Sequence, residues 1–125
     1  GRPIIFDKNY VTVDAGKNKI TFKTSKYSED MEITEVLTII GNDSTSHLNE
    51  TYPYDPSSIT KSSFKQTFYR YRDTVYGEWY TVIHKKRKLF VELKENNTGK
   101  SRKLAVFVGA GNDHGGVYMT QKTKK

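Results

Sequence analysis

Apolar and polar residues alternate along most of this chain with a period of two, the signature of half-buried strands rather than helices. Leu89, Val91 and Leu93 alternate with Phe90, Glu92 and Lys94, and Leu104, Val106 and Val108 share one side of the run over 102–108. Between these runs Glu95, Asn96, Asn97, Thr98 and Gly99 break the pattern. Two Asn and a Gly can supply the positive φ angles of a tight reversal. Residues 109–116 then read as a loop, and residues 117–121 as a closing strand. Upstream, residues 4–6 predict a first strand, and residues 10–13 a second with Val11 and Val13 inward. A turn over 14–18 leads into a strand over 19–24 that sets Ile20 and Phe22 on the core side. Val36, Leu37, Ile39 and Ile40 put apolar groups on both faces of residues 34–40, as in a central strand.

Residues 41–60 are different. They are dense in Asn, Asp, Ser, Thr and Pro and keep no period, which predicts a long inserted loop near 41–63. After it, residues 64–72 and 74–84 read as two strands joined at Arg72, Asp73 and Thr74. Gly77 marks a bulge or a close approach within the second. About seven to nine short strands without a helix predict an all-β fold, a two-sheet antiparallel sandwich of immunoglobulin-like kind. The 125 residues fit one domain, spanning 1–121, with a frayed basic tail over 122–125.

Composition removes several classes of function. There is no cysteine, so disulfides and thiolate metal sites are excluded. No apolar run approaches the roughly 18 residues of a membrane-spanning helix. The chain opens Gly1-Arg2-Pro3, without Met or an apolar targeting segment, which reads as a processed precursor or a cleaved tag. The net charge of +7 invites a nucleic-acid reading. Most Lys and Arg alternate with apolar residues, however, as in Lys19-Ile20-Thr21-Phe22-Lys23. That places them on the wet face of strands, where they keep sheets soluble, so nucleic acid is not an expected partner.

Trp79, the run Leu89-Phe90-Val91-Glu92-Leu93, the turn Glu95-Asn96-Asn97-Thr98-Gly99-Lys100-Ser101-Arg102 and a closing strand ending Thr120-Gln121 together resemble the BACON domain. Members carry a similar N-x-T-G-x-x-R turn and a last strand finishing in Gln. Residues 10–24 resemble the family's opening, whereas residues 41–63 depart from it as an insertion. The resemblance implies an immunoglobulin-like sandwich from cell-envelope or secreted proteins of gut Bacteroidetes, for which a carbohydrate- or mucin-binding role has been proposed. It also implies an extracytoplasmic address, with a lipid anchor on a removed leader as one form of attachment. The residues supply physical reasons of their own. Arg102 can bond loop carbonyls, Asn96 or Asn97 can cap the turn in the left-handed conformation, and Gln121 can bond a neighbouring loop.

Chemistry for turnover is sparse. The three histidines, His47, His84 and His114, stand apart, and no Gly-x-Ser-x-Gly, Walker-type or His-Glu-x-x-His motif occurs. The nearest raw material is His84 with Glu78 and Tyr80, which share a face if residues 74–84 form one strand. Asn112-Asp113-His114 offers one carboxylate and one imidazole, too few for a metal, and a turn is the better reading. No enzyme activity, metal or cofactor is expected.

Aromatics are the notable excess: nine Tyr, six Phe and one Trp. Sugar rings stack their C–H faces on such side chains while polar neighbours bind hydroxyls. Tyr52 and Tyr54 flank Pro53, with Pro56 two residues on, and the fixed φ of the prolines limits the entropy lost on binding. Tyr69 and Tyr71 share a strand face, as do Tyr76 and Tyr80, so all four can form a platform, with Arg70 and Arg72 nearby. The expected ligand is a glycan stacked on Tyr52, Tyr54, Tyr69 and Tyr71. The positive charge favours an acidic, mucin-type chain contacted by Lys65, Arg70 and Arg72. The alternative is a structural or protein-interaction module of the envelope, docking a partner protein through a strand edge or the 41–60 loop.

Overall fold

A computed structural model describes residues 1–25, 31–41, 43–46, 60–61, 67–71 and 73–124, with backbone alone at 43–46, 60–61 and 67–71. Eleven strands are found among them: β1 (Tyr10–Val13), β2 (Asn18–Lys23), β3 (Glu32–Ile40), β4 (Asp43–Ser46), β5 (Thr60–Lys61), β6 (Thr67–Tyr71), β7 (Thr74–Gly77), β8 (Tyr80–Lys85), β9 (Lys88–Leu93), β10 (Arg102–Ala110) and β11 (Asp113–Gln121). They form two sheets, β1-β11-β10-β3-β4 and β2-β9-β8-β7-β6-β5. The order is that of an immunoglobulin-like sandwich. β2, β9 and β8 stand where strands B, E and D lie, and β3, β10 and β11 where C, F and G lie. β5, β6 and β7 continue the second sheet beyond that frame.

Alternation builds the core as expected. Ile20, Phe22, Val82, Leu89, Val91 and Leu93 face Ile33, Val36, Leu104, Val106, Val108, Val117 and Met119, and all are buried. Each such side chain stabilises the fold by about 1.5–3 kcal/mol through water exclusion. The chain enters by crossing between the sheets. Pro3 bridges His114 in the first and Phe6 bridges Thr24 in the second, burying Ile4 and Phe6 and leaving Ile5 exposed. The expected strand over 4–6 is thus a sheet-switching link. It also closes the free edge of β2. The Asp7 N–H donates to the Lys23 carbonyl at 2.8 Å, the Lys23 N–H donates to Asp7 Oδ1 at 3.0 Å, and Lys8 Nζ donates to the Thr21 carbonyl at 2.6 Å. A partner strand cannot pair there without displacing this segment.

Three expected connections differ. Residues 95–101 make no hairpin but carry the chain from β9 in one sheet to β10 in the other. The loop expected over 109–116 is a continuous ladder closed by Gly111 and Asn112, with Ala110 opposite Asp113. Gly111 takes φ 62°, which a two-residue hairpin of this kind needs at its first central position. Within 41–63, residues 43–46 and 60–61 pair as strands β4 and β5 instead of looping.

The 95–101 crossover is held by a buried polar cluster. Arg102, 4% exposed, donates from Nε to Gln121 Oε1 at 2.7 Å. From NH2 it donates to the carbonyls of Lys94 and Glu95 at 2.9 and 3.2 Å. Its guanidinium lies 4.2 Å from the Trp79 ring centroid, a cation–π geometry. Gln121 Nε2 donates to the carbonyls of Gly16 and Lys94. Asn96 Nδ2 donates to the carbonyls of Lys100 and Lys122, while its Oδ1 accepts from the Thr98 N–H and hydroxyl. Asn96 therefore caps the turn as expected, but the positive φ, 76°, belongs to Gly99. Burial pushes the Arg102 pKa down to about 10, so the group stays cationic at neutral pH. Arg102 ties the start of β10 to the end of β9, the place where a tyrosine corner serves antibody-type domains.

Candidate functional site

Four of the residues expected to bind ligand, Tyr52, Tyr54, Lys65 and Arg72, lie outside the described residues. The other three stand on β6, where Tyr69 pairs with Tyr76, Arg70 with Val75 and Tyr71 with Thr74. The platform joining Tyr76 to Tyr80 is not formed. The chain turns at Glu78 and Trp79, so β7 and β8 are antiparallel neighbours rather than one strand, and the parity resets. Tyr80 is 1% exposed, and its ring covers Gly77, where any Cβ would collide with it. That is the close approach expected at Gly77. The same reset takes Glu78 off the strand that carries both Tyr80 and His84. The imidazole Nε2 of His84 instead donates to the Lys86 carbonyl at 2.7 Å. Asp113 Oδ1 accepts the Arg2 N–H at 2.6 Å and so fastens the N-terminal link. Among the described residues no three His, Asp or Glu side chains lie close enough to hold a metal ion.

What the fold does bring together lies on the two outer faces. On the second sheet the ladders align Lys23, Lys88 and Lys85 in one row across β2, β9 and β8. Beside it runs a row of Thr21, Phe90 and Ile83, and then one of Lys19, Glu92 and Thr81. The tip joining β8 to β9 adds Lys86 and Arg87. Lys85, Lys86, Arg87, Lys88 and Phe90 line a depression of about 460 Å³. A second, of about 400 Å³, lies along the opposite end of these strands, lined by Lys17, Lys19, Thr81, Glu92 and Lys94 among others. There Lys19 and Glu92 approach to 3.8 Å, an exposed pair of little energetic weight.

On the first sheet the outer face is aromatic. Tyr10 in β1 pairs with Tyr118 in β11, and their rings stack at 5.0 Å and 16°. Phe107 meets the Tyr118 ring edge-on at 5.8 Å and lies over Gly116, where a Cβ would fall 2.9 Å from its Cδ1. The next row holds Thr12, Thr120, Lys103 and Ile39. β1 is the outermost strand, so one face of the Tyr10 ring rests on Tyr118 and the other looks off the sheet edge. Tyr10 is 78% exposed. Period-two reading sets Tyr10 and Tyr118 outward, but their juxtaposition requires the parallel pairing of β1 with β11, which no local pattern announces.

No protein-family model matches the chain, and no curated protein does. A solution structure of a protein from Bacteroides thetaiotaomicron is similar over 100% of this chain and 91% of its own, at 20% identity and a TM-score of 0.64. At that identity the likeness shows the fold alone. The M1 domain of titin is similar over 93% of this chain and 87% of its own, at 12% identity and a TM-score of 0.48. The structure of titin kinase and its flanking domains is similar over 90% of this chain but only 15% of its own, at a TM-score of 0.45. Neither titin likeness adds to the argument.

Proposed function

We propose that this chain is a non-catalytic glycan-binding module of a bacterial cell envelope, of BACON-like kind, and that the Tyr10 ring is its stacking surface. One observation carries the reading: an aromatic ring 78% exposed at a sheet edge, held upright by a parallel ring behind it. A tyrosine so braced loses little rotamer freedom on binding, and its open face matches the C–H face of a pyranose. Thr12 and Thr120, one row away, offer hydroxyls to sugar hydroxyls. The extracytoplasmic address belongs to the same proposal and is supported by the resemblance of the 95–102 turn and the closing Gln121 to that family.

Glycan-array binding followed by calorimetry tests it. Wild type is expected to retain neutral glycans weakly, and Tyr10→Ala to abolish that binding while the fold persists. Silence of the wild type across neutral and acidic glycans overturns the reading. So does unchanged affinity in Tyr10→Ala.

A further inference from the structure

We propose a second, separate site, in which the outer face of the β2-β9-β8 sheet binds a sulfated polysaccharide through Lys23, Lys85, Lys86, Arg87 and Lys88, with Phe90 as its floor. It is independent of the Tyr10 surface, which lies on the other sheet.

Three observations converge. First, the ladders place Lys23, Lys88 and Lys85 side by side on adjacent strands, about 4.8 Å apart, so like charges repel along a whole row. None of the five cations forms an ion pair with a carboxylate among the described residues. Second, Lys86 holds φ 54°, the left-handed region where Gly, Asn or Asp is the ordinary hairpin residue. The His84 imidazole braces its carbonyl at 2.7 Å. A cation thus sits at a turn position where its backbone is strained, and local strain of this sort marks sites where something other than folding sets the residue. Third, the row beside the lysines is Thr21, Phe90 and Ile83, partly buried and uncharged, bordering the 460 Å³ depression.

This alternation chooses the partner. A polymer with anionic substituents on rings that also present C–H faces satisfies both rows at once. Single-stranded nucleic acid asks for several open aromatic rings beside the cations, and this face offers the half-buried Phe90. A bilayer asks for apolar residues at the tip, but 85–88 are all cations.

The full chain is titrated with heparin as the sulfated probe, at about 150 mM salt, where exposed charges interact over roughly 8 Å. Lys85→Ala/Lys88→Ala is expected to weaken binding about tenfold and to lower the slope of log affinity against log salt by about two, one per lost cation. Lys103→Ala/Lys122→Ala, with the same charge removed away from this face, is expected to change affinity less than about threefold. Tyr10→Ala is expected to leave heparin binding intact, so failure here and failure of the neutral-glycan site are distinguishable. The proposal is overturned if wild type ignores heparin, or if both double variants lose equally. It is also overturned if desulfated heparin binds as well, or if single-stranded DNA or anionic phospholipid vesicles bind more tightly through the same lysines.

Discussion

The two outer faces of this sandwich stand on one core and differ in almost every chemical respect. The β1-β11-β10 face carries stacked and edge-on rings, and the row across Tyr10, Tyr118, Ala105 and Leu37 bears no charge. The β2-β9-β8 face carries a lysine row with a cationic tip, and its aromatic residue is sunk between threonine and isoleucine. Inward positions of both sheets obey the same demand for burial, so they look alike. Outward positions are free of that demand and diverge. The difference teaches that the sandwich supplies two independently variable outer surfaces, with the polar corner around Arg102 joining the sheets that carry them.

The severest way to break the contrast is to loosen that corner. Arg102→Met leaves the Glu95 carbonyl and Gln121 Oε1 without their buried donor and is expected to cost about 3 kcal/mol, as for other broken buried charge networks. Urea unfolding measures it, and both binding activities are expected to fall together with the folded fraction. Lys85→Ala/Lys88→Ala separates the faces: about tenfold lost toward heparin, with the unfolding midpoint unchanged within about 0.5 kcal/mol. Lys86→Gly sharpens the idea that charge overrides turn preference. It is expected to stabilise the fold by about 0.5–1 kcal/mol in thermal unfolding while weakening heparin binding, because Gly takes positive φ without a Cβ clash.

The smallest expected effect is in acid. Burial raises the Asp7 pKa, but the Lys23 N–H and nearby Lys8 more than offset this and hold it below its ordinary 3.8. The folded state therefore binds fewer protons than the unfolded state, and the contribution is full above about pH 4 and lost as pH falls through the lowered value. Asp7→Asn is expected to flatten the stability profile below about pH 4 by less than about 0.5 kcal/mol, since the pair is exposed. Urea midpoints at pH 7 and pH 3 check it.

Period-two alternation determined the all-β class and the inward sets of β2, β9 and β10, and the residue types of the 95–99 turn marked Asn96 as its cap. Those features depend on neighbours a few residues away or on a face that must be dry. The candidate surfaces were not legible in the same way. Lys23 and Lys88, or Tyr10 and Tyr118, meet only through ladder register between strands far apart in sequence. The turn at Glu78 and Trp79 reset a parity that simple counting carried straight through. Burial writes itself into local pattern because every strand must hide one face. Which residues stand together on the exposed faces was decided only when distant strands paired.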